Sequence, residues 1–316
     1  MKKNFLITGG TGFIGSNLSK MLISKGYNVV VFDNNIRGKK SRIDLNDKKI
    51  KYINGDIRSI KDLSQAIKKI DAVIHLAYIN GTKFFYSKPE QVLDVATKGL
   101  VNVFDACIKN KVKELYLASS SEVYHMPKKI PTDENEPIKI PDILNPRFSY
   151  GGGKILTELY GINFGKKYFR KLIIFRPHNV YGLDMGNEHV IPELIKKYRK
   201  SKLNDFIKIQ GSGNETRSFI HISDFCEAFH KLIQKGKHLN IYNIGTEERI
   251  KIKEIISILN KYEKKNIKVK KTSLKLGGTK HRCPSIKKIK KLGFKPKLKL
   301  KDGIKIILDK NKIKNY

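Results

Sequence analysis

The length, composition and cysteine content of this sequence exclude several classes of protein. With 316 residues and 40% hydrophobic content, the chain can bury a full core and has the composition of an ordinary globular protein. No uncharged apolar stretch approaches the roughly 20 residues that a membrane helix needs, so we expect no membrane insertion. Cys107, Cys226 and Cys283 lack metal-ligand spacing. We therefore expect no metal site, and reduced thiols in a cytoplasmic protein.

The formal charge of +36 is concentrated toward the C-terminus. Residues 251–316 contain 23 Lys or Arg against four acids. Such a segment can attract nucleic acid or acidic lipid. Here Lys predominates over Arg, the regular interleaving of aromatic residues typical of nucleic-acid binders is absent, and the lysines alternate with Ile and Leu as in ordinary strands and helices. We therefore favour solvated basic faces over nucleic-acid binding, and expect the cationic surface to steer an anionic ligand inward.

The first half of the chain alternates between short apolar stretches and helical patterns. Strands are predicted at Phe5–Thr8, Asn28–Asp33, Lys51–Asn54, Ala72–Leu76, Glu114–Ala118 and Lys171–Phe175. Helices are predicted from Phe13 to about Lys25 and at Ile60–Lys69, Pro89–Asn110 and Tyr150–Tyr168. Fully apolar strands separated by helices indicate a parallel sheet covered on both faces. The predicted fold class is therefore α/β with a doubly wound parallel sheet.

The pattern changes after Arg176-Pro177. Loops rich in Gly and Asn flank a helix near Pro192–Lys200, a strand–helix pair returns around Ser218–Lys235, and the last third is mixed and basic. We predict a smaller, interleaved C-terminal substrate-binding domain. The predicted boundaries assign 1–178 plus about 218–245 to the sheet domain, and about 179–217 plus 246–316 to the second domain.

A glycine-rich turn follows the first predicted strand and leads into a helix. Gly9, Gly12 and Gly15 permit a tight turn and a close approach of backbone to a pyrophosphate, which the helix N-terminus stabilises. Asp33 ends the next strand, 18 residues after Gly15. An acid at that position accepts from ribose hydroxyls and repels a 2′-phosphate. Together these features predict a Rossmann domain that binds NAD. Asp56 is placed to meet the adenine, or alternatively to cap a helix.

A second group of residues has the chemistry of alcohol oxidation. Ser120 follows the fifth strand, at the sheet edge where ligands bind in open α/β folds. Tyr150 and Lys154 are four residues apart on one helix, so the ammonium can favour the phenolate. Tyr150 would then act as a base at neutral pH, with Ser120 sharing the substrate hydroxyl.

Taken in order, these motifs resemble the extended short-chain dehydrogenases/reductases that act on nucleotide sugars. The resemblance covers nearly the whole chain and further rests on His75-Leu76-Ala77, Ser119–Tyr124, Arg176–Gly182, Gly211–Arg217 and Arg282-Cys283-Pro284. It implies a homodimer whose interface uses the helices at Pro89–Asn110 and Tyr150–Tyr168. It also implies NAD as cofactor and a nucleoside-diphosphate sugar as substrate.

The resemblance also implies residue roles. Ser120, Glu122, Tyr150 and Lys154 are expected to be catalytic. The expected cofactor-binding residues are Gly9, Gly12, Phe13, Ile14, Gly15, Asp33, Asn34, Asp56, Ile57, Leu76, Ala77, Tyr150, Lys154 and Pro177. Ser121, Asn179, Arg217 and Arg282 are expected to bind substrate, because Arg binds phosphate oxygens bidentately. The chain departs from the family's pattern at Ala96, where an Asn is usual, and in the three glycines after Tyr150.

The residues around Ser120 and Tyr150 are compatible with several reactions of this family. Family members oxidise sugar C4, and return of the hydride to the other face gives 4-epimerisation, which we favour. Dehydratases carry an Asp-Glu pair where this chain has Ser121-Glu122, whereas decarboxylases of glucuronate-type sugars have Ser-Glu. Decarboxylation is therefore the second choice, ahead of 4,6-dehydration. The His178-Asn179 pair keeps 3,5-epimerisation open, and a non-catalytic NAD-binding scaffold is the alternative from another class.

Overall fold

The structure, a computed structural model, describes residues 2–186, 189–273 and 277–313. The chain forms two compact units that exchange segments along the sequence. The first comprises residues 1–125, 138–177 and 226–242. The second comprises residues 126–137, 178–225 and 243–316. The assignment of cofactor binding to one unit and substrate binding to the other stays a prediction.

The helices and strands follow the predicted order closely. In the first part of the chain they are β1 Asn4–Thr8, α1 Phe13–Ser24, β2 Asn28–Asp33, β3 Ile50–Asn54, α2 Ile60–Ala66, β4 Ala72–His75, α3 Thr82–Ser87, α4 Pro89–Asp94, α5 Leu100–Lys109, β5 Glu114–Ala118, α6 Phe148–Tyr168 and β6 Lys171–Pro177. The remaining elements are β7 Val180–Tyr181, α7 Val190–Lys200, β8 Phe206–Gln210, β9 Thr216–Arg217, β10 Ile220–His221, α8 Ile222–Lys235, β11 Asn240–Ile244, β12 Ile250–Lys251, α9 Ile252–Glu263, β13 Lys268–Thr272, α10 Lys287–Lys290 and α11 Leu300–Ile313.

A seven-stranded sheet in the order β11-β6-β5-β4-β1-β2-β3 forms the first unit's core. Strands β1 to β6 pair in parallel. Every residue of β4 and β5 is buried, because helices cover both faces of a parallel sheet. This confirms the predicted doubly wound α/β fold. The order also places the carboxyl ends of β1, β4 and β5 next to each other, so the segments that follow them share one sheet edge.

The predicted helix Pro89–Asn110 is interrupted in its middle. A π-helical segment, Val95–Gly99, joins α4 to α5. Gly99, at the end of this segment, packs directly against the side chain of Ile57, and a Cβ at Gly99 would overlap Ile57 Cδ1. A π-helical turn in the middle of a helix is frequent at functional sites. Apolar periodicity did not reveal it, because the apolar positions 92, 95, 100, 103, 104 and 107 keep an ordinary helical spacing across the segment.

The second unit has its own apolar core, to which α7, α9, α11, β8 and β13 contribute. In β8, buried and exposed residues alternate, and α9 buries Ile255, Ile256 and Leu259. The lysines between these apolar positions face solvent, and the expected absence of nucleic-acid binding stays a prediction. Within the described ranges, no helix combines the length and apolarity that crossing a membrane requires.

The Gly99–Ile57 contact is testable by a double-mutant cycle. We expect Gly99→Ala to destabilise the protein by about 1 to 3 kcal/mol, because the new Cβ overpacks Ile57. In an Ile57→Ala background the same change should cost little, since the nearest remaining atom, the Cβ of residue 57, would lie 3.6 Å away. Urea unfolding of the four chains measures the coupling free energy, and strictly additive effects would contradict this account.

Candidate active site

The glycine turn between β1 and α1 has the geometry of a phosphate cradle. Helix α1 begins at Phe13, its N-cap Gly12 offers no side-chain hydrogen bond, and its first turn contains no acid. A Cβ at Gly15 would overlap the Gly9 carbonyl oxygen, so only glycine fits there. Gly9 has a φ of +71° and leaves room for the backbone of Ala77. The uncapped N–H groups and the absent side chains fit a pyrophosphate.

Asp33 holds the glycine turn in place through hydrogen bonds from the backbone. Its carboxylate accepts hydrogen bonds from the backbone N–H of Thr11 at 3.0 Å and of Asn35 at 2.8 Å. The side chain is buried at the end of β2, the strand paired with β1. A carboxylate that accepts from two N–H donors still has lone pairs with which to accept from further hydroxyls. The residues present therefore fit the adenosine half of NAD.

Asn34 and Asp56 meet at the next strand end. Asn34 Nδ2 donates to Asp56 Oδ2 at 3.0 Å, and the Arg58 guanidinium donates to the same oxygen at 2.8 Å. The hydrogen bond from Arg58, against the opposing effect of burial, lowers the pKa of Asp56 to about 2. Ser59, not Asp56, caps α2. The alternative interpretation of Asp56 as the helix cap is therefore wrong, while its role beside the adenine stays a prediction.

Leu76 and Ala77 are attached to β1 through Thr8. The Thr8 hydroxyl lies 2.8 Å from His75 Nδ1, and its oxygen also accepts from the N–H of Leu76 and Ala77. Burial, with a smaller effect of the Lys154 charge, lowers the pKa of His75 to about 3, so its ring is neutral. The segment after β4 is thus fixed next to the glycine turn. Sequence reasoning did not assign Thr8.

The predicted trio of Ser120, Tyr150 and Lys154 lies around the carboxyl end of β5. Lys154 Nζ donates to the Ala118 carbonyl at 2.7 Å. Ser120, two residues later, caps the 3₁₀ turn Ser121–Tyr124, where its Oγ accepts from the Glu122 N–H at 3.2 Å. Tyr150 is one turn before Lys154 in α6. All three side chains are buried.

Aromatic rings hold the Tyr150 side chain in place. Phe85 stacks on its ring at a centroid distance of 4.7 Å, and the Tyr78 ring meets it edge-on at 5.1 Å. Burial lowers the pKa of Lys154 to about 7, and the nearby Glu158 carboxylate opposes this effect. A phenol beside an amine that titrates near neutrality is suited to proton exchange with a substrate hydroxyl. Sequence reasoning missed both Phe85 and Tyr78, because neither belongs to a motif.

Glu122 and Ser121 lie in the same 3₁₀ turn. Ser121 is buried, and the Glu122 carboxylate is 3.7 Å from a nitrogen of Arg147. Arg147 precedes α6, three residues before Tyr150, and was not predicted. Glu122 therefore has a cationic neighbour at the start of α6. Its catalytic role stays a prediction.

A buried ion pair joins α6 to β6 next to Lys154. Glu158, one turn after Lys154, accepts from Arg176 Nε at 2.8 Å and from its NH2 group at 2.6 Å, and also from the Ser119 hydroxyl. Arg176 donates to the Tyr124 hydroxyl at 2.7 Å. Burial lowers the pKa of Arg176, but the hydrogen bonds and charge of Glu158 outweigh burial and raise it. Because Tyr150, Lys154 and Glu158 recur every four residues, the spacing alone could have suggested Glu158.

The predicted substrate-binding residues of the second unit share a common neighbourhood. Arg217 donates to the Thr279 carbonyl at 2.7 Å, and Arg282 donates to the Thr279 hydroxyl at 2.9 Å. Asn179 donates to the Ser218 carbonyl at 2.7 Å. The structure thus brings Arg217 and Arg282 together, although they are 65 residues apart. Among the expected cofactor residues, Pro177 ends β6, while Ile57 packs in the core.

Comparison with known proteins gives several similarities. Residues 5–245 match the model of the NAD dependent epimerase/dehydratase family. A putative UDP-glucose 4-epimerase of Methanocaldococcus jannaschii is 32% identical, covering 96% of this chain and 97% of that protein. A UDP-N-acetyl-alpha-D-glucosaminuronate decarboxylase of Bacillus cytotoxicus is 31% identical over 81% of this chain and 78% of its own length. The crystal structure of a Thermotoga maritima UDP-glucose 4-epimerase with UDP-glucose shares the fold, with a TM-score of 0.89 at 24% identity, covering 99% of this chain and all of that one.

The buried ion pair predicts a large stability effect. We expect Glu158→Ala to destabilise the protein by about 3 to 5 kcal/mol, because Arg176 would keep a buried charge without its partner. The matched control is Glu193→Ala, which removes the exposed Glu193–Lys197 pair of α7 and should cost no more than about 0.5 kcal/mol. Chemical unfolding measures the free energy of unfolding of both variants. Equal losses of stability would show that burial of the ion pair does not determine the energetic cost of breaking it.

Proposed function

We propose that this chain, which belongs to the NAD-dependent epimerase/dehydratase family, epimerises C4 of a nucleoside-diphosphate sugar. Membership in the family makes it an NAD-dependent enzyme that modifies nucleotide sugars. The observation that carries the proposal is the placement of Lys154. Its amine is buried at the end of β5 and donates to the Ala118 carbonyl. It lies one helical turn from Tyr150, whose ring is stacked on Phe85. This arrangement can accept a hydroxyl proton and return it.

Tyr150, with Ser120 and Lys154, would carry out the proton transfer. Tyr150 would take the proton of the C4 hydroxyl while Ser120 donates a hydrogen bond to the same oxygen. The Lys154 ammonium would stabilise the phenolate form of Tyr150. NAD, held by the glycine turn and Asp33, would supply the hydride acceptor for C4, and its reduced form the hydride donor for the opposite face of the 4-keto sugar. Return of the proton from Tyr150 to the C4 oxygen would then complete the inversion and leave the mass unchanged.

Epimerisation is favoured over further processing of the 4-keto sugar because it needs no additional acid or base. Ser121 cannot replace the Asp that dehydratases carry, and Glu122 is engaged with Arg147. Decarboxylation is the second candidate. A decarboxylase relative supports it, and the Arg147 guanidinium is a cation that could hold a sugar carboxylate near Glu122.

We propose a uridine diphosphate sugar as the first substrate to test. The similar epimerases from Methanocaldococcus jannaschii and Thermotoga maritima are named for UDP-glucose. Arg217 and Arg282, gathered around Thr279, are the guanidinium groups that we assign to the diphosphate. Asn179 is assigned to the same ligand. We also propose action in the cytoplasm, where the free and buried Cys107, Cys226 and Cys283 would stay reduced.

A homodimer is the assembly that we propose. Helix α4 packs beside α6, and both helices carry exposed leucines: Leu93 is 43% exposed and Leu159 54% exposed. Large apolar side chains on neighbouring helices are typical of a surface that a second copy covers.

The proposed reaction is tested by incubating the protein and NAD with UDP-, dTDP-, GDP- and CDP-sugars and analysing the products by mass spectrometry and NMR. Epimerisation leaves the mass unchanged and inverts C4. Loss of roughly 18 mass units would indicate dehydration, and loss of roughly 44 would indicate decarboxylation. We expect Tyr150→Phe to lower kcat by about 10²- to 10⁴-fold, because the proton acceptor is removed.

The matched control for that variant is Tyr168→Phe, at the exposed end of α6. It should leave kcat within about threefold, since a surface hydroxyl has no part in the chemistry. Full turnover by Tyr150→Phe would refute Tyr150 as the base. Absence of any product from the wild-type protein with all four nucleotide classes would refute the proposed activity.

The proposed dimer is tested by light scattering after size exclusion. We expect Leu159→Glu to convert dimer to monomer, because it places a charge in the apolar surface without disturbing the buried face of α6. Leu203→Glu, the same substitution at an exposed leucine outside α4 and α6, is the control for added charge and should leave the dimer intact. A monomeric wild-type protein would contradict the proposal.

A further inference from the structure

Tyr78 follows β4 and belongs to none of the motifs described above, yet its ring lies between the two central groups of the proposed reaction. Lys154 Nζ is 3.8 Å from the centroid of the Tyr78 ring. The same ring contacts Tyr150 edge-on, with an interplanar angle of 83°. By contrast, Lys154 Nζ is 5.8 Å from the centroid of Tyr150. Tyr78 is therefore the aromatic face nearest to the ammonium.

The position of Tyr78 depends on two small residues. A Cβ at Gly153 would overlap the Tyr78 hydroxyl, and it would lie 2.6 Å from the Cβ of Ala96. Gly153 in α6 and Ala96 in the π-helical segment thus leave the space that the phenol occupies. Glycine inside a helix costs about 1 kcal/mol relative to alanine, so a close packing partner gives this glycine a structural reason.

Tyr78 meets the Lys154 ammonium with its ring rather than with its hydroxyl. Its hydroxyl oxygen is buried and has no hydrogen-bond partner among the described residues. Burial, followed by the effect of Tyr150, raises the pKa of Tyr78 well above its usual range, so the hydroxyl stays protonated. A phenol that neither ionises nor forms a hydrogen bond there acts through its aromatic face and its shape.

We propose that Tyr78 is a positioning residue, whose ring face holds the protonated Lys154 by a cation–π contact and keeps it beside Tyr150. An ammonium within about 6 Å of a ring centroid is attracted by the ring, and most strongly where water is excluded. Lys154 has three N–H donors. The Ala118 carbonyl binds one and the ring attracts the ammonium from another side, which fixes the direction of the side chain.

The electrostatic consequence follows from the groups around Lys154. Glu158 on the same helix favours the charged amine, whereas burial disfavours it. His75 from β4 is neutral. The Glu158 carboxylate also accepts a hydrogen bond from Arg176 of β6. Tyr78 and Tyr150 face the same amine with their rings. Because the ring attracts only the ammonium form, Tyr78 should raise the pKa of Lys154, and its loss should lower that pKa.

The test compares Tyr78→Phe, which keeps the ring, with Tyr78→Met, which fills the space without one. The ε-carbon resonance of ¹³C-labelled lysine, assigned with Lys154→Arg, follows the titration of Lys154 by NMR in the full chain. We expect the pKa of Lys154 to be unchanged in Tyr78→Phe and lower by about one unit in Tyr78→Met. Thermal melting of each variant verifies that it is folded.

The kinetic consequence rests on the proposed function. In Tyr78→Met, the alkaline limb of the kcat profile should move to lower pH by about one unit, and KM for the nucleotide sugar should stay within about threefold. An unchanged Lys154 pKa in Tyr78→Met would overturn the proposal. A Lys154 pKa lowered equally in Tyr78→Phe and Tyr78→Met would overturn it as well. The NMR titration needs no substrate. It therefore decides on Tyr78 even if the wild-type protein proves inactive on every nucleotide sugar.

Discussion

The burial of the Lys154 amine against the carboxyl end of β5 is the constraint on which the rest of the site depends. An amine removed from water needs several partners at once, and each of them comes from a different element. The Ala118 carbonyl comes from β5, Glu158 from α6 itself, and the Tyr78 face from the segment after β4. Parallel strands make this convergence possible, because their carboxyl ends lie along one edge of the sheet.

A second set of contacts stabilises the first. Glu158 would be an unpaired buried acid without Arg176, and Arg176 in turn binds the Tyr124 hydroxyl in the turn that begins after Ser120. The loop with Ser120, the helix with Tyr150 and the strand β6 are thus joined by one buried network. Such networks fix geometry when every member is satisfied, which explains how a helix with three consecutive glycines can still hold Tyr150 in place.

The glycine turn to which we assign NAD was predictable because backbone geometry limits which residues fit. A turn that brings the Gly9 carbonyl against α1 admits only glycine at position 15, and an acid at the end of β2 is in reach of the turn. Such requirements are local in sequence. The proximity of Arg217 and Arg282 is of another kind, since their shared neighbour Thr279 became visible only in the folded chain.

The sequence by itself determined the order of strands and helices, the glycine turn with Asp33, and the Tyr150–Lys154 pair, because each depends on periodicity or on short fixed spacings. Only the tertiary structure decided what surrounds these residues. Tyr78, Phe85, Arg147 and the Glu158–Arg176 pair reach the site from separate segments, and no local pattern encodes such long-range packing. The π-helical segment and Gly153 show the same limit. The sequence shows that a position carries glycine. Which neighbouring residue leaves no room for a side chain there is set by the fold.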